Sequence, residues 1–538
     1  MNKLPLKVLN KTTVFRQLFF FMNVIVITVI WTMVMINFKS IPQNTVNTSI
    51  FYINDFHGQV PKMERTVTAA HKFDEFIKEQ KGNVDGFKVS SGDILIGENP
   101  QLGYAATEFE NAAGIDVQVL GNHEFDSEPA NLPKFLDLSK AASVGTNVKY
   151  KPGTPLASRI QRAVIIERNG HKYGFIGALL PNLGTKVKDP RHLNGISIDS
   201  ETQTLIELQE EADKLRSQGV NKIILLSHAG YDMDKRIAQS VTGIDVILGG
   251  HTHNLLKGVV NKQNFFLSPV KEPVLITQAG CNGENYGVLD LTFNEKGQII
   301  GANNKVIETS AYKKDPAATT AMDKYLGKPV VIGRIGAAEN FSGNPLHEEN
   351  PYANFILDAV KSEMDADIAL MNSGNMRGTI DTDIFSRDIT DRDISSISPY
   401  KNSMCLVYLN QKELVDAIKC GLRAMQTPGN TAGLLQVSGL RYVGTSEGEL
   451  KELDFIDKQG KKHPIDINNP DVNTKYRVAY DDFLARGRDG FTMLNKLNDA
   501  DTKRFDYDKD YCTINYVKKF NGKPVNIKSD GRITIMRN

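Results

Sequence analysis

The chain has 538 residues, 64 Lys plus Arg against 63 Asp plus Glu, 41% apolar residues and four cysteines. At ~100–200 residues per domain this length implies more than one folded unit, and the apolar fraction excludes a disordered chain. A formal charge of +1 argues against a broad basic surface for nucleic acid, and so few cysteines exclude a disulfide scaffold.

The near-zero charge is unevenly spread. Lys3, Lys7, Lys11, Arg16 and Lys39 stand in the first 40 residues without an acid, leaving 59 basic and 63 acidic groups, a net of −4, for the rest. This basic tip borders an apolar run from Leu18 to Phe38, broken only by Asn23, Thr28, Thr32 and Asn37. A helix of that length spans the ~30 Å hydrocarbon core of a bilayer. The run exits through Asn37-Phe38-Lys39-Ser40-Ile41-Pro42, which offers no good small-residue cleavage site. A transmembrane signal anchor is therefore expected over 18–38, with secretion after signal cleavage as the alternative. Basic residues before the run put a cytoplasmic N-terminus at 1–17 and the body outside, periplasmic or extracellular.

After a polar linker (39–48), short apolar runs alternate with amphipathic stretches. Strands are expected at Ser49–Asn54, Phe87–Ser91, Asp116–Leu120, Lys172–Ala178, Lys222–Leu226, Asp245–Leu248 and Pro273–Thr277, and helices at Met63–Gln80 and Thr202–Ser217. That order predicts an α/β domain with helices flanking its sheets. Five of the strands run into polar blocks: Asn54-Asp55-Phe56-His57-Gly58, Ser91-Gly92-Asp93, Gly121-Asn122-His123-Glu124-Phe125-Asp126, Ser227-His228-Ala229-Gly230 and Gly249-Gly250-His251-Thr252-His253. Ligands of α/β sheets bind at the carboxyl ends of strands, so five loops deliver Asp, His and Asn side chains to one edge. Each block alone is a common turn; five in order are not.

Imidazole with carboxylate or amide oxygen suits two borderline cations such as Zn²⁺ or Mn²⁺. A pair ~3.5–4 Å apart, bridged by a carboxylate, clamps both oxygens of an in-line phosphoryl transfer and activates water near neutral pH. This pattern predicts a hydrolase of phosphate esters or anhydrides.

The five blocks resemble those of calcineurin-like metallophosphoesterases, and the wording around Asp55 and His123 is similar to the 5′-nucleotidase family. The resemblance implies an α/β (α+β sandwich) metallophosphoesterase domain at 49–314. It further implies one metal on Asp55, His57, Asp93 and His253, and a second on Asp93, Asn122, His228 and His251. His123 would be the catalytic histidine, oriented by Asp126.

Asp315-Pro316 reads as the start of a short helix to Leu326, stopped by Gly327-Lys328-Pro329. The resemblance makes 315–330 a linker helix and hinge, and 331–538 a second α/β, nucleotide-binding domain. Strands are expected there at Ile368–Met371, Met404–Leu409 and Arg477–Tyr480, and a helix at Gln411–Met425. Taken as residues alone, its loops at 372–378, 398–402 and 481–491 are Gly-rich turns with core aromatics. Through the resemblance, Tyr400 and Phe483 sandwich a base, Asp489 holds a ribose, and Asn372 and Arg377 contact base or phosphate. Two positions depart from the family pattern: Glu348 stands where an arginine is common, and Arg488 where glycine is. Arg488 either binds phosphate or faces solvent. Cys281, Cys405, Cys420 and Cys512 either pair or remain buried thiols outside the five blocks.

The expected activity is extracytoplasmic, metal-dependent hydrolysis of nucleoside 5′-phosphates. UDP-sugar hydrolysis, 2′,3′-cyclic nucleotide phosphodiesterase activity and non-catalytic nucleotide capture are the alternatives. The expected partners are a small nucleotide and, through the N-terminal helix, a membrane; no nucleic-acid polymer is expected.

Overall fold

Strand β1 (Val46–Ile53) buries all of Ile50–Ile53, so both of its faces must be covered. In the computed structural model, which describes residues 45–185, 190–193, 195–339, 341, 344, 346–380, 387–427 and 432–536, helices lie on one side of it and a second sheet on the other. β1 pairs in parallel with β2 (Asp85–Ser90), which pairs with β3 (Val117–Val119). Asn285–Phe293 and Ile299–Glu308 complete that seven-stranded sheet beyond β1, and Ala142–Val144 and Ile160–Gln161 beyond β3. Strands β4 (Ile223–Ser227) and β5 (Val246–Leu248) are parallel neighbours in a six-stranded sheet.

Period-two geometry explains why β4 is apolar throughout. Ile224 and Leu226 enter the core shared with the first sheet, whereas Ile223 and Leu225 enter a second core under the helices Glu201–Ser217 and Tyr231–Ser240. The α/β reading of this region thus holds. Its five loops come three from one sheet and two from the other. They meet because the carboxyl ends of β1 to β5 share an edge.

Helix α1 (Val60–Glu79) starts three residues before the expected Met63, because Pro61 fits a first helical turn that needs no N–H partner. Helix α2 (Pro316–Leu326) begins as expected. Asp315 Oδ1 accepts the N–H groups of Ala317 and Ala318, both at 2.9 Å, and the helix ends at Gly327, whose φ is +74°. Tyr325 of α2 stacks on Tyr104 at 5.1 Å, fixing the helix to the first unit.

The remaining chain builds a five-stranded sheet in the order Leu435–Ser438, Ile368–Asn372, Lys475–Asp481, Met404–Asn410, Lys503–Arg504, with smaller sheets beside it. The amphipathic helix Gln411–Ala424 packs on it, started by a reciprocal cap between Asn410 and Glu413. Helix α3 (Asp391–Ile397) joins the two units. Its Arg392 binds Glu64 of α1 at 3.3 Å, Asp323 of α2 at 2.6 Å and the Gly327 carbonyl at 2.6 Å. Gln59, at the start of α1, donates to the Ser396 carbonyl.

All four cysteines are unpaired. No helix of the described residues is long and apolar enough to cross a membrane; the anchor expected over 18–38 lies outside them.

Glu110, in the helix Pro100–Ala113, lines a small cavity of ≈ 30 Å³ behind Gly92, shared with Ser90 and Glu124. Burial pushes its carboxyl up to about 8, and the nearby Glu124 adds to the effect. The folded state therefore keeps a proton that the unfolded chain releases above its ordinary value of 4.5, so this contribution to stability declines as pH rises toward 8. Relative to wild type, Glu110→Gln should gain on the order of 1–3 kcal/mol between pH 5 and 8. Thermal denaturation at both pH values measures this, and parallel pH profiles would refute it.

Candidate functional site

The five loops carry unusual backbone. Asp55, His57, Asp93, His251 and His253 all have positive φ, between 49° and 73°. For non-glycine residues this conformation costs on the order of 1 kcal/mol each and persists only where neighbours over-determine it. The bonds that do so are present. The N–H groups of Asp55 and His57 donate to the carbonyls of Gly92 and Asp93, and the His251 N–H reaches the Asp55 carboxylate. Two glycines are required by close approach rather than by φ. A Cβ on Gly121 would lie 2.1 Å from Asp93 Oδ1, and one on Gly250 would lie 2.9 Å from His228 Nδ1.

The side chains converge in three overlapping groups whose ligand-type atoms lie within 4.8 Å of one another: Asp55, His57 and His253; Asp93, His228 and His251; and His57, Asp93 and His123. Asp93 Oδ2 is 3.6 Å from His57 Nε2 and 3.1 Å from His228 Nε2. Asp55 Oδ1 is 3.5 Å from His253 Nε2, and Asn122 Oδ1 is 2.9 Å from His251 Nδ1. All seven expected metal residues are therefore in one place.

This set fits a pair of divalent cations. His228 donates from Nδ1 to the Ser91 carbonyl at 2.7 Å, which turns Nε2 inward, where this buried atom makes no hydrogen bond. Burial opposes the charges of Asp55 and Asp93, yet the surrounding imidazoles hold both carboxyls below the ordinary range, Asp93 furthest. Burial drives His57 and His251 down to about 4, so both rings are neutral donors at pH 7. For His228 burial acts the same way, but Asp93 and Asp55 overcome it and pull the ring up to about 10. Oxygen and imidazole nitrogen without thiolate suit borderline cations.

Several supporting residues escaped the sequence reading. Glu124 is buried and accepts the N–H groups of Asp93 and Ile94, both at 2.9 Å, and of Gly121 at 2.6 Å, clamping two site loops together. It stands inside a quoted block, but nothing in the sequence marks its carboxylate as buried. Asn54 bonds the Asp55 carboxylate, the Gly280 carbonyl and the Ala279 N–H. His57 Nδ1 donates to Asn282 Oδ1 at 3.1 Å. Asn282 follows the strand Pro273–Thr277, so the strand-end rule applied to that strand would have found it. Cys281, which stands outside the five blocks in sequence, interacts with His253, whose pKa it and Asp55 raise against burial.

His123 donates from Nδ1 to Asp126 Oδ2 at 2.6 Å, and Asp126 Oδ2 also accepts the Gly97 N–H at 2.8 Å. Burial lowers the pKa of His123, but Asp126 and Asp93 raise it further, and the net shift is upward. Arg377 and Tyr400 approach from the other unit. Arg377 lies close enough to act electrostatically on His123, and Tyr400 feels Asp126. Arg377 Nη2 donates to the Tyr400 hydroxyl at 3.0 Å, while its buried Nε has no hydrogen-bond partner. Asn372 Nδ2 donates to Asp489 Oδ2 at 2.8 Å, and Phe483 is half-buried nearby on the short helix Asp482–Ala485. Arg488 is exposed, and Glu348 accepts the Asn344 N–H.

Residues 48–255 match the model of the calcineurin-like phosphoesterases, and residues 331–496 match that of the 5′-nucleotidase C-terminal domain. The chain thus joins a calcineurin-like phosphoesterase domain to a 5′-nucleotidase C-terminal domain. It is a phosphoric ester hydrolase, whose metallophosphoesterase fold implies a dinuclear divalent-metal site. A trifunctional nucleotide phosphoesterase of Bacillus subtilis is 27% identical over 90% of this chain, which spans only 34% of that protein. A probable 5′-nucleotidase of Treponema pallidum is 25% identical over 84% of this chain and 88% of its own. The crystal structure of a 5′-nucleotidase precursor from Thermus thermophilus superposes with a TM-score of 0.66 at 24% identity, covering 91% of this chain and 99% of that one, which establishes the shared fold.

Because Glu124 fixes the backbone of Asp93, Glu124→Gln places an amide N–H₂ against N–H donors. Divalent-metal affinity should fall by ~10–100-fold with the fold retained. Competition with a fluorescent chelator, alongside circular dichroism, measures both; unchanged affinity would return Glu124 to a purely structural role.

Proposed function

We propose that this hydrolase is a 5′-nucleotidase that hydrolyses nucleoside 5′-phosphates to nucleoside and phosphate, anchored through residues 18–38 with its catalytic part outside the cytoplasm. One observation carries the reading: Arg377 and Tyr400, in the part that matches the 5′-nucleotidase C-terminal domain, approach His123 and Asp126 at the edge of the metal-type cluster. A phosphate at that cluster and a nucleoside at the facing loops belong to one molecule.

In this reading Asp55, His57, Asp93 and His253 hold one cation and Asp93, Asn122, His228 and His251 the other, with Zn²⁺ or Mn²⁺ the best fit to the donors. When bound, the pair supplies Lewis-acid charge and a nucleophilic water near neutral pH. His123, whose pKa Asp126 and Asp93 raise and which Asp126 aims, stabilises charge on the phosphoryl group or protonates the leaving oxygen. Arg377 presents its free Nε to phosphate, Tyr400 and Phe483 enclose the base, and Asn372 orients Asp489 toward the ribose hydroxyls. Gly327, at the end of α2, is the hinge that lets the two units part for substrate. A wider range that includes UDP-sugars or 2′,3′-cyclic nucleotides is the second reading, favoured by the likeness to a trifunctional phosphoesterase.

Purified full-length protein should release phosphate from AMP in a chelator-sensitive manner. ATP, UDP-glucose and 2′,3′-cyclic AMP tested beside it define the range; activity on the cyclic ester alone would sink the nucleotidase assignment. His123→Ala should lower kcat by ~10²–10⁴-fold while metal content stays near that of wild type. Loss of metal would make His123 a ligand instead.

Replacing Tyr400 and Phe483 together by Ala should raise KM by roughly tenfold or more with kcat little changed, as for lost uniform binding. An unchanged KM in steady-state kinetics would assign both rings to packing.

A further inference from the structure

Among the described residues, five of the exposed large aliphatic side chains fall within one short segment: Leu255, Val259, Val260, Leu267 and Val270, each 40–58% exposed. Lys257, Lys262 and Lys271 lie exposed between and beside them, and no Asp or Glu occurs from 246 to 271. Lys262 and Lys271 stand exposed at turn positions with φ of +61° and +66°. The flanking Glu272 is turned aside, to Gln298 at 3.0 Å and toward Arg216 at 3.7 Å.

The fold makes this segment one continuous stripe. Phe265–Leu267 is the edge strand of the six-stranded sheet, and the stretch before it is tied to the edge strand of the other sheet. Gly258 donates to the Asn304 carbonyl, and Asn304 to the Leu256 carbonyl. The stripe therefore closes one open side of the sandwich. Its Val270–Lys271 end lies beside the turn that carries Gln298, at the end of the sheet where Val46 pairs with Phe293. That is where the chain arrives from its N-terminal residues, a few positions after the apolar run.

We propose that this stripe seats the protein on an anionic lipid surface, with the valines and leucines at the headgroup boundary and the three ammonium groups on lipid phosphates. An aliphatic patch interleaved with unpaired lysines is the composition of an interfacial membrane contact. A two-fold contact with a second copy would face six ammonium groups against each other without an acid between them. A nucleic-acid strand would find no exposed aromatic or arginine in the segment to stack on. The contact does not depend on the anchor, and the test separates the two.

Full-length protein is reconstituted into vesicles of phosphatidylcholine alone and of phosphatidylcholine mixed with phosphatidylglycerol, and amide exchange is followed over 254–271. Exchange over 254–271 reads the stripe itself, and the lysine variants below, which leave the basic N-terminal tip unchanged, separate the stripe's share of any difference between the vesicles from that of the tip. Exchange should slow by at least about fivefold on the anionic vesicles, the factor expected for one lysine at a charged surface. High salt should abolish the protection, as should Lys257→Ser, Lys262→Ser and Lys271→Ser combined, with kcat on soluble nucleotide unchanged. If the triple variant fails to fold, Lys271→Ser alone should give a partial loss. Equal exchange on the two vesicles overturns the proposal. Protection in detergent without lipid also overturns it, by showing that the chain's own N-terminal segment covers the stripe. Protection that tracks protein concentration rather than lipid does the same in favour of a second copy. A failed anchor shows separately, as protein that does not float with neutral vesicles.

Discussion

The site depends on how one buried carboxylate is held. Asp93 receives the His123 N–H on Oδ1, turns Oδ2 to the rings of His57 and His228, and has its own N–H clamped by Glu124. Loops from both sheets are thereby tied to a single residue with φ of +53°. An ionised carboxylate with under 2% of its surface exposed is tolerated only where opposite charge surrounds it, and here imidazoles, with cations when bound, provide that charge. The left-handed backbone of Asp55, His57, His251 and His253 belongs to the same arrangement: strain that the interlocking hydrogen bonds sustain and that aims ligand atoms inward.

The second constraint acts between the units. Helix α3 is bonded through Arg392 to α1 and α2 and continues into the loop that carries Tyr400, so the contact that orients the C-terminal unit also brings Tyr400 close enough to feel Asp126. Glu64 is 2% exposed and Arg392 only slightly more, so parting the units must rehydrate or re-pair both charges. The two units thereby gain a defined relative geometry without a shared sheet.

Much of this was legible in the sequence because it is local. Strand ends followed by Gly, Asp, Asn and His mark carboxyl-edge loops, and β1 to β5 fall within a few residues of their expected spans. Asp315 and Pro316 announce α2 by chemistry that involves only neighbouring residues. Glu124, Asn54 and Cys281 were not legible as site residues, because what they do depends on atoms as far as 226 residues away in the chain. An Asn that bonds its neighbour's carboxylate reads the same in a chain as one that faces water. The stripe at 255–271 is similar: its valines are ordinary in sequence, and only the edge position of their strand leaves them uncovered.

By itself, then, the sequence determined the residue types of the site, their order along alternating strands and helices, and the apolar run outside the described residues. These follow from side-chain chemistry and from hydrophobic periods of two and 3.6. Tertiary structure alone decided which loops leave which sheet, that Glu124 and Asn282 bond residues of the same cluster, and that Arg377 and Tyr400 approach His123 and Asp126. Those facts rest on contacts between segments far apart in the chain, which no local pattern encodes.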